Sequence, residues 1–429
     1  MSAVVVFIIF AICLVIAIPI SISLGIVAVL PGAFDTSFTA SAGYVIRSMV
    51  GGIDSFPLLA VPMFVLAGIL MAHGKISEKL FDVFVYFLGN KRAGIPCAVI
   101  ITCLFYGAIS GSAPATVAAV GSMTIPLLIE LGYEKDFSTA IVAVAGGLGV
   151  IIPPSIPFIM FAMATGESVS DLFLAGIVPG MMISALLIFY AYYYCRRHGE
   201  DREKIQAKMD QLKEKGFFNI LKESIWALLS PVIVLGCIYT GVASPTEAAV
   251  ISVFYSLFVS LFIYKSIKVK QIWGIMVEAM KTYAPILFIL ATSTAFSRVL
   301  TLMQVPQDVS AWIMAHFSNE IVLLLVINVV LLIVGMVMDT TPAILILSPI
   351  LLPIVQHVGM NPIHFGVMMI VNLAVGFVTP PVGVNLFVAS SLTNVPMMQI
   401  AKKAMPMIGY FMLALLLIAF IPAISLCLL

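Results

Sequence analysis

Apolar runs interrupted at a few regular points set the pattern of this chain. Ala3 to Leu30 holds no charged residue over 28 positions, enough to cross a hydrocarbon layer of about 30 Å as a helix rising ~1.5 Å per residue. Further charge-poor stretches predict spans near 55–72, 172–195, 224–242, 246–264, 282–302 and 404–428. Three stretches do not fit a simple span. Ala93 to Ile129 runs 37 residues without a charge, about 55 Å as one helix and too long for one crossing. Its middle, Ser110-Gly111-Ser112-Ala113-Pro114-Ala115-Thr116, places small hydroxyl residues before a proline suited to start a helix, which predicts two short helices meeting at a tip. Phe137 to Gly166 is also uncharged, but Gly149-Val-Ile-Ile-Pro153-Pro154-Ser-Ile-Pro157 cannot stay one helix, because each proline removes a donor and clashes with the preceding turn. In the third stretch, Thr340-Thr341-Pro342 forms a second tip and Gly376-Phe-Val-Thr-Pro380-Pro381 a second break.

These features repeat in register. Pro126, Gly132, Gly149, Pro153, Pro154 and Pro179 each lie 227 residues before Pro353, Gly359, Gly376, Pro380, Pro381 and Pro406. Pro114 and Pro342 are 228 apart, so one gap separates the tips from the rest of an internal repeat. Two further segments, Ile76 to Leu88 and Val309 to Phe317, occupy equivalent places before the tips. Their mix of apolar and polar positions predicts amphipathic helices lying along the membrane surface.

Composition agrees with lipid as the solvent. Of the 429 residues, 62% are apolar and 10% charged, against about a quarter charged in globular domains. The net charge of +1 implies no nucleic-acid partner. Six scattered cysteines with no C-x-x-C pair point to packing rather than a disulfide framework or zinc site. No basic region and cleavage site flank the first run, so it reads as a retained span. Lys and Arg orient the whole. With a cytoplasmic amino terminus and each tip-bearing stretch returning to its own side, 73–92, 131–136, 196–222, 265–281 and 394–403 are cytoplasmic and the carboxyl terminus periplasmic. Nineteen of the 21 basic residues then lie inside, Arg47 and Arg298 excepted, as the positive-inside rule requires. The first tip then approaches from the cytoplasm and the second from outside, so the repeats are inverted, with an added span near 224–242 supplying the odd crossing. Residues 196–222 read as a solvated connection between the halves.

The fold class expected is therefore an all-α polytopic membrane protein, an inverted-repeat secondary transporter with two re-entrant hairpins and two broken helices. Exposed helix N-termini present N–H groups to anions, and carbonyls freed at a break can replace the water shell of a sodium ion. Ser110, Ser112, Thr116, Thr340, Thr341 and Thr379 add hydroxyl oxygens at these points. One sodium site is expected from Ser110 with carbonyls from Gly149 to Ile152, another from Thr340 or Thr341 with Gly376 and Thr379. Asp339, the only carboxylate after Glu320, falls at the second tip, where a buried acid in lipid is a candidate for function and a helix cap is the plainer role. Arg298 is the sole basic residue of its span and either binds the anion or snorkels to the surface. Glu247, following Ser244-Pro245-Thr246, reads as a first-turn acid starting a helix. No H-E-x-x-H or nucleophile elbow appears, which argues against a membrane enzyme.

At Gly107-Ala-Ile-Ser-Gly-Ser-Ala-Pro-Ala-Thr116, Gly147-Leu-Gly-Val-Ile-Ile-Pro-Pro-Ser155 and Gly376-Phe-Val-Thr-Pro-Pro-Val-Gly-Val-Asn385, the chain resembles the large membrane (M) subunit of tripartite ATP-independent periplasmic transporters, most of all the sialic acid members. The resemblance implies sodium-coupled import of an organic acid anion, sialic acid or a C4-dicarboxylate, across the bacterial inner membrane. It implies two partners, a periplasmic substrate-binding protein and a small membrane (Q) subunit. It also implies an elevator mechanism, with 93–175 and 320–403 as the transport domain, 1–92 and 176–319 as scaffold, and 404–429 as a final span. On that resemblance Ser112, Ser155, Asp339, Asn385 and Arg298 are the candidate substrate residues. A self-sufficient sodium/anion symporter is the alternative.

Overall fold

A computed structural model describes residues 3–34, 38–214, 216–316 and 319–429. Among these the chain is helical throughout, without strands, and nine helices are long and apolar enough to cross a membrane.

The two tips and two breaks stand where the pattern puts them. Helices Gly94–Ser110 and Ala113–Glu130 form the first hairpin, and Glu320–Val337 and Thr340–His357 the second. Gly111 at φ +60° turns the first tip, a left-handed conformation that glycine adopts without a Cβ penalty. The first broken helix runs from Lys135–Ala145 through a tightened turn, Gly146–Val150, and resumes at Ile156–Thr165. The second joins Pro362–Gly376 to Val384–Thr393. Both Pro-Pro bonds, at 153–154 and 380–381, are cis.

The register extends past the motifs. Helix 60–73 corresponds to the second half of Val269–Leu302, and the surface helices Ile76–Leu88 and Val305–His316 occupy matched places. The second of these begins earlier than expected, and its expected last residue, Phe317, lies outside the described residues. Helix Ala42–Ile53, which no apolar run announced, corresponds to the first half of Val269–Leu302. It buries only Val45 and Ser48. This helix is interrupted just before Pro57, whereas the 34-residue counterpart runs on through Pro285. That counterpart starts 13 residues before the expected span.

Three expectations change. The first apolar run is not one span: helix Ala3–Val15 ends at Ala17, whose φ is +62°, and Ile20–Phe34 folds back against it. The Ile18 N–H bonds the Cys13 carbonyl across this turn, and Pro19 cannot continue the helix. Phe7 and Phe10 of the first leg meet Phe296, and Leu24 and Val27 of the second join the same cluster. Helix Val169–His198, placed with the scaffold, packs instead on the first hairpin and on Met397–Phe420, as does the latter on both broken helices. The connection after residue 196 is less solvated than expected. Helix Arg202–Glu214 buries Ile205, Met209 and Leu212, one stripe at helical spacing, and leans on Ile76–Leu88. Glu200 anchors its start, accepting from the Ala93 N–H at 3.0 Å, the Tyr133 hydroxyl at 2.7 Å and Arg202 at 2.9 Å. Nearby, a hydrogen bond from Lys403 holds the Glu134 carboxyl below the usual carboxylate range. The helix start at Ser244 is as read: Ser244 and Glu247 form a reciprocal capping box.

The hairpins and broken helices pack with helices 169–198 and 397–420, and helices 3–73 pack with 217–302; the two sets share one core, with Thr340–His357 against Val269–Leu302 and Gly94–Ser110 against Ala60–His73. Where a hairpin meets its break, glycine pairs bring backbones together. A side chain on Gly376 would sit 2.3 Å from the Gly335 carbonyl carbon, whereas one on Gly409 would meet nothing within 4 Å. Gly376→Ala should therefore cost about 1–3 kcal/mol through overpacking and lower the melting temperature of the purified protein. Gly409→Ala, mid-helix and open, should leave it unchanged or raise it slightly; equal melting of the two variants would contradict this packing.

Candidate functional site

The first tip closes on the first break. Gly107 lies so near Gly149 that a Cβ on it would be 2.6 Å from the Gly149 Cα. The Gly111 carbonyl accepts from the Ile156 N–H at 3.3 Å, satisfying an orphan donor of the resumed helix. In this contact three oxygens converge. Ser110 Oγ is 3.0 Å from Thr116 Oγ1, and both hydroxyls reach the Ser112 carbonyl, at 3.3 and 2.8 Å. Gly149 backs directly onto this set, since a Cβ there would be 2.4 Å from Thr116 Oγ1 and 2.8 Å from the Ser112 oxygen. Ser110 and Thr116 are buried. Neutral hydroxyl and carbonyl oxygens gathered where a helix is interrupted are the donor set that a hard monovalent cation takes.

The second junction repeats the arrangement with different chemistry. Gly335 abuts Gly376, and Met336 accepts from the Val382 N–H at 3.2 Å. Thr379 Oγ1 donates to the Val375 carbonyl at 2.8 Å and its N–H to Gly376 at 3.1 Å. Thr340 and Thr341 are buried at the helix start. Asp339 caps it, accepting from the Thr340 N–H at 2.6 Å and from the Thr340 hydroxyl at 3.3 Å, while the residue as a whole is exposed.

Candidates named from sequence do not all converge. Ser110 and Gly149, named together for a sodium site, lie side by side, with Ser112, named for the substrate, next to them; the Ile152 side chain lies on Gly180. Ser155 is buried with its hydroxyl donated to Val150 at 2.6 Å, within its own break. Asn385 is buried between the two broken helices, donating to the Ala143 carbonyl at 3.1 Å, and its Oδ1 has no partner among the described residues. Sequence reading missed a buried amide pair between second hairpin and second break, where Asn372 Nδ2 donates to Asn328 Oδ1 at 2.8 Å and to its carbonyl at 2.9 Å. Two asparagines in apolar runs carried the signal.

Two cavities separate the groups. One of about 410 Å³ is lined by Ser110, Ser112, Tyr106, Ile156, Glu278 and Thr282. It shares Ala72, Ala119 and Glu278 with smaller pockets reaching His73, Lys75 and Glu78. His73 and Glu278 pair at 3.0 Å beside it. The other, of about 320 Å³, is lined by Gly51, Gly52, Ser55, Thr294, Ser297 and Arg298 and closed by Leu345 and Pro349 of the second hairpin. Ser112 and Arg298 therefore face different cavities.

This is a polytopic helical membrane protein with interrupted helices meeting hairpin tips, the architecture of membrane transporters. Residues 7–424 match the family model described as tripartite ATP-independent periplasmic transporter, DctM component, and the chain belongs to that family. It is 42% identical over 415 residues to the isethionate TRAP transporter permease protein DctMQ of Oleidesulfovibrio alaskensis, covering 97% of this chain and 64% of that protein. It is 39% identical over 375 residues to the C4-dicarboxylate TRAP transporter large permease protein DctM of Pseudomonas aeruginosa, covering 87% of this chain and 86% of that one. Among solved structures, the fold is similar to Neisseria gonorrhoeae MtrF, with a TM-score of 0.63, 14% identity and 93% of each chain covered. The Alcanivorax borkumensis YdaH transporter gives a TM-score of 0.61 at 15% identity, covering 89% of this chain and 88% of that one.

Asp339→Asn keeps an oxygen to accept from Thr340 but removes the charge. It should leave melting within a degree or so of the parent and depress solute uptake strongly; uptake at the parent's rate would reduce Asp339 to a cap.

Proposed function

We infer that this chain is the large subunit of a sodium-coupled importer that carries an organic acid anion across the bacterial inner membrane. A periplasmic binding protein delivers the acid, and a small membrane subunit completes the scaffold. The observation that carries the reading is the pair of tip-to-break junctions at matched positions, Gly107 on Gly149 and Gly335 on Gly376. The relatives' names supply the solute class: a sulfonate and a C4-dicarboxylate are both acid anions. Sialic acid, expected from the motifs, joins them as a test substrate.

In this reading the repeats are inverted, the hairpins re-enter, and the hairpins with their breaks move as one body against the scaffold. Helices 169–198 and 397–420 travel with that body, because they pack on it. The charge assignment is retained, but two legs replace one crossing before residue 38, which moves the amino terminus to the periplasmic side. Cysteines introduced at Lys213 and Lys268 should then react only from the cytoplasm and one at Gln307 only from outside; labelling of all three from one side would end the inverted arrangement.

One sodium ion would be held by Ser110, Thr116 and the Ser112 carbonyl against Gly149, and a second by Thr340 or Thr341 with Gly376 and Thr379. Bound there, sodium supplies positive charge between C-terminal helix ends, at Ser110 and at the break after Gly146–Val150, whose carbonyls otherwise repel through like partial charges. The tips and breaks are then held in the geometry that receives the anion. Uptake into proteoliposomes, with the binding protein, small subunit and sodium gradient omitted in turn, tests the assembly; uptake by this chain alone would favour a self-sufficient symporter. Ser110→Ala and Thr379→Val should each raise the sodium concentration for half-maximal uptake, and together lower its steepness. Unchanged sodium dependence in both would place the ions elsewhere.

A further inference from the structure

The two cavities are counterparts in the 227-residue register. Gly51 and Ser55 line the second cavity where Glu278 and Thr282 line the first, and Leu345 stands where Ala118 stands. Their charge differs. The first cavity carries Glu278, paired with His73 at 3.0 Å, and the second, among the described residues, is lined by Arg298 and by no carboxylate.

Arg298 and Arg47 are also the two basic residues that the charge bias leaves outside. Arg298 Nη1 lies 3.7 Å from where a side chain on Gly51 would begin, and Arg47 stands one turn before Gly51 on the same helix. Basic residues on the outer side oppose the insertion bias, so Arg298 in the cavity wall calls for a role of its own. Arg298 is exposed, and among the described residues no carboxylate pairs with it. A guanidinium presents a planar fork of donors matched to carboxylate and sulfonate oxygens. Thr294 and Ser297 lie beside it; Thr294 packs onto Gly52, while Gly51 leaves the space next to the guanidinium open.

We propose that this second cavity is a receiving subsite for the organic acid, in which Arg298 holds the anionic group outside the second hairpin before the acid reaches the tips. The site is distinct from the cavity at Ser110 and Ser112, and its placement on the periplasmic side rests on the sidedness read above. The Arg298 guanidinium gives this cavity a positive charge that concentrates anions.

The test needs no transport. In the full-length chain with its native cysteines replaced by alanine, Ser297→Cys is labelled in sealed vesicles of known orientation by neutral, anionic and cationic thiosulfonates of similar size. The anionic reagent should react from outside faster than the cationic one by about tenfold, the lower range of electrostatic focusing in a cleft. Arg298→Gln should abolish that preference, Arg298→Lys should keep most of it, and millimolar succinate or isethionate should slow the anionic reagent alone. Outside labelling by the neutral reagent with no charge preference overturns the subsite and leaves the sidedness intact. Labelling by the neutral reagent only from inside overturns the sidedness and the subsite with it.

Discussion

Interrupting a helix inside a membrane frees backbone N–H and C=O groups where no water can satisfy them, and everything else here is arranged around meeting that demand. The prolines at 153, 154, 380 and 381 create the interruption. Each break is answered by a hairpin tip brought to the same depth: Gly111 accepts from Ile156, and Met336 from Val382. Backbones this close leave no room for side chains, which is why glycines sit at 107, 149, 335 and 376. A tip without its break, or a break without its tip, would leave polar groups stranded at several kcal/mol each.

From that constraint follows the division of labour between frame and chemistry. Backbone contacts hold the junctions, so the side chains around them are free to differ between the repeats. The first tip carries a cluster of neutral hydroxyls, the second a carboxylate at Asp339. The buried amides Asn328 and Asn372 occur on the second hairpin and its break, where the register places Ile100 and Ala145 in the first.

Much of the frame was legible in the sequence because prolines and glycines act locally. The tips, the breaks, the capping box at Ser244 and the repeat register all depend on residues within a few positions of the feature. What was not legible depends on partners distant in sequence. Pro19 is the one local sign of the turn at Ala17, and alanine is no left-handed turn former; that the chain doubles back there is seen through Phe296, to which the first leg packs. The allegiance of helix 169–198 is likewise decided by what it touches, the first hairpin and Met397–Phe420. Its hydropathy would suit either group. The scattering of Ser155, Asn385 and Arg298 has the same origin, because a motif names residues near a break but not the side toward which each points.

The interruption at Asp54 and Ser55 has a mechanical meaning. In the second repeat the matching strut is a 34-residue helix with no such gap, continuous although Pro285 removes one hydrogen bond from its interior. Its partner is two shorter rods, Ala42–Ile53 and Ala60–His73, joined through a tight turn at Phe56–Leu59. Equal loads on the two struts would be absorbed differently, within a continuous helix in one and at an open joint in the other. That joint forms part of the wall around Arg298, so deformation of the first strut is focused beside that cavity.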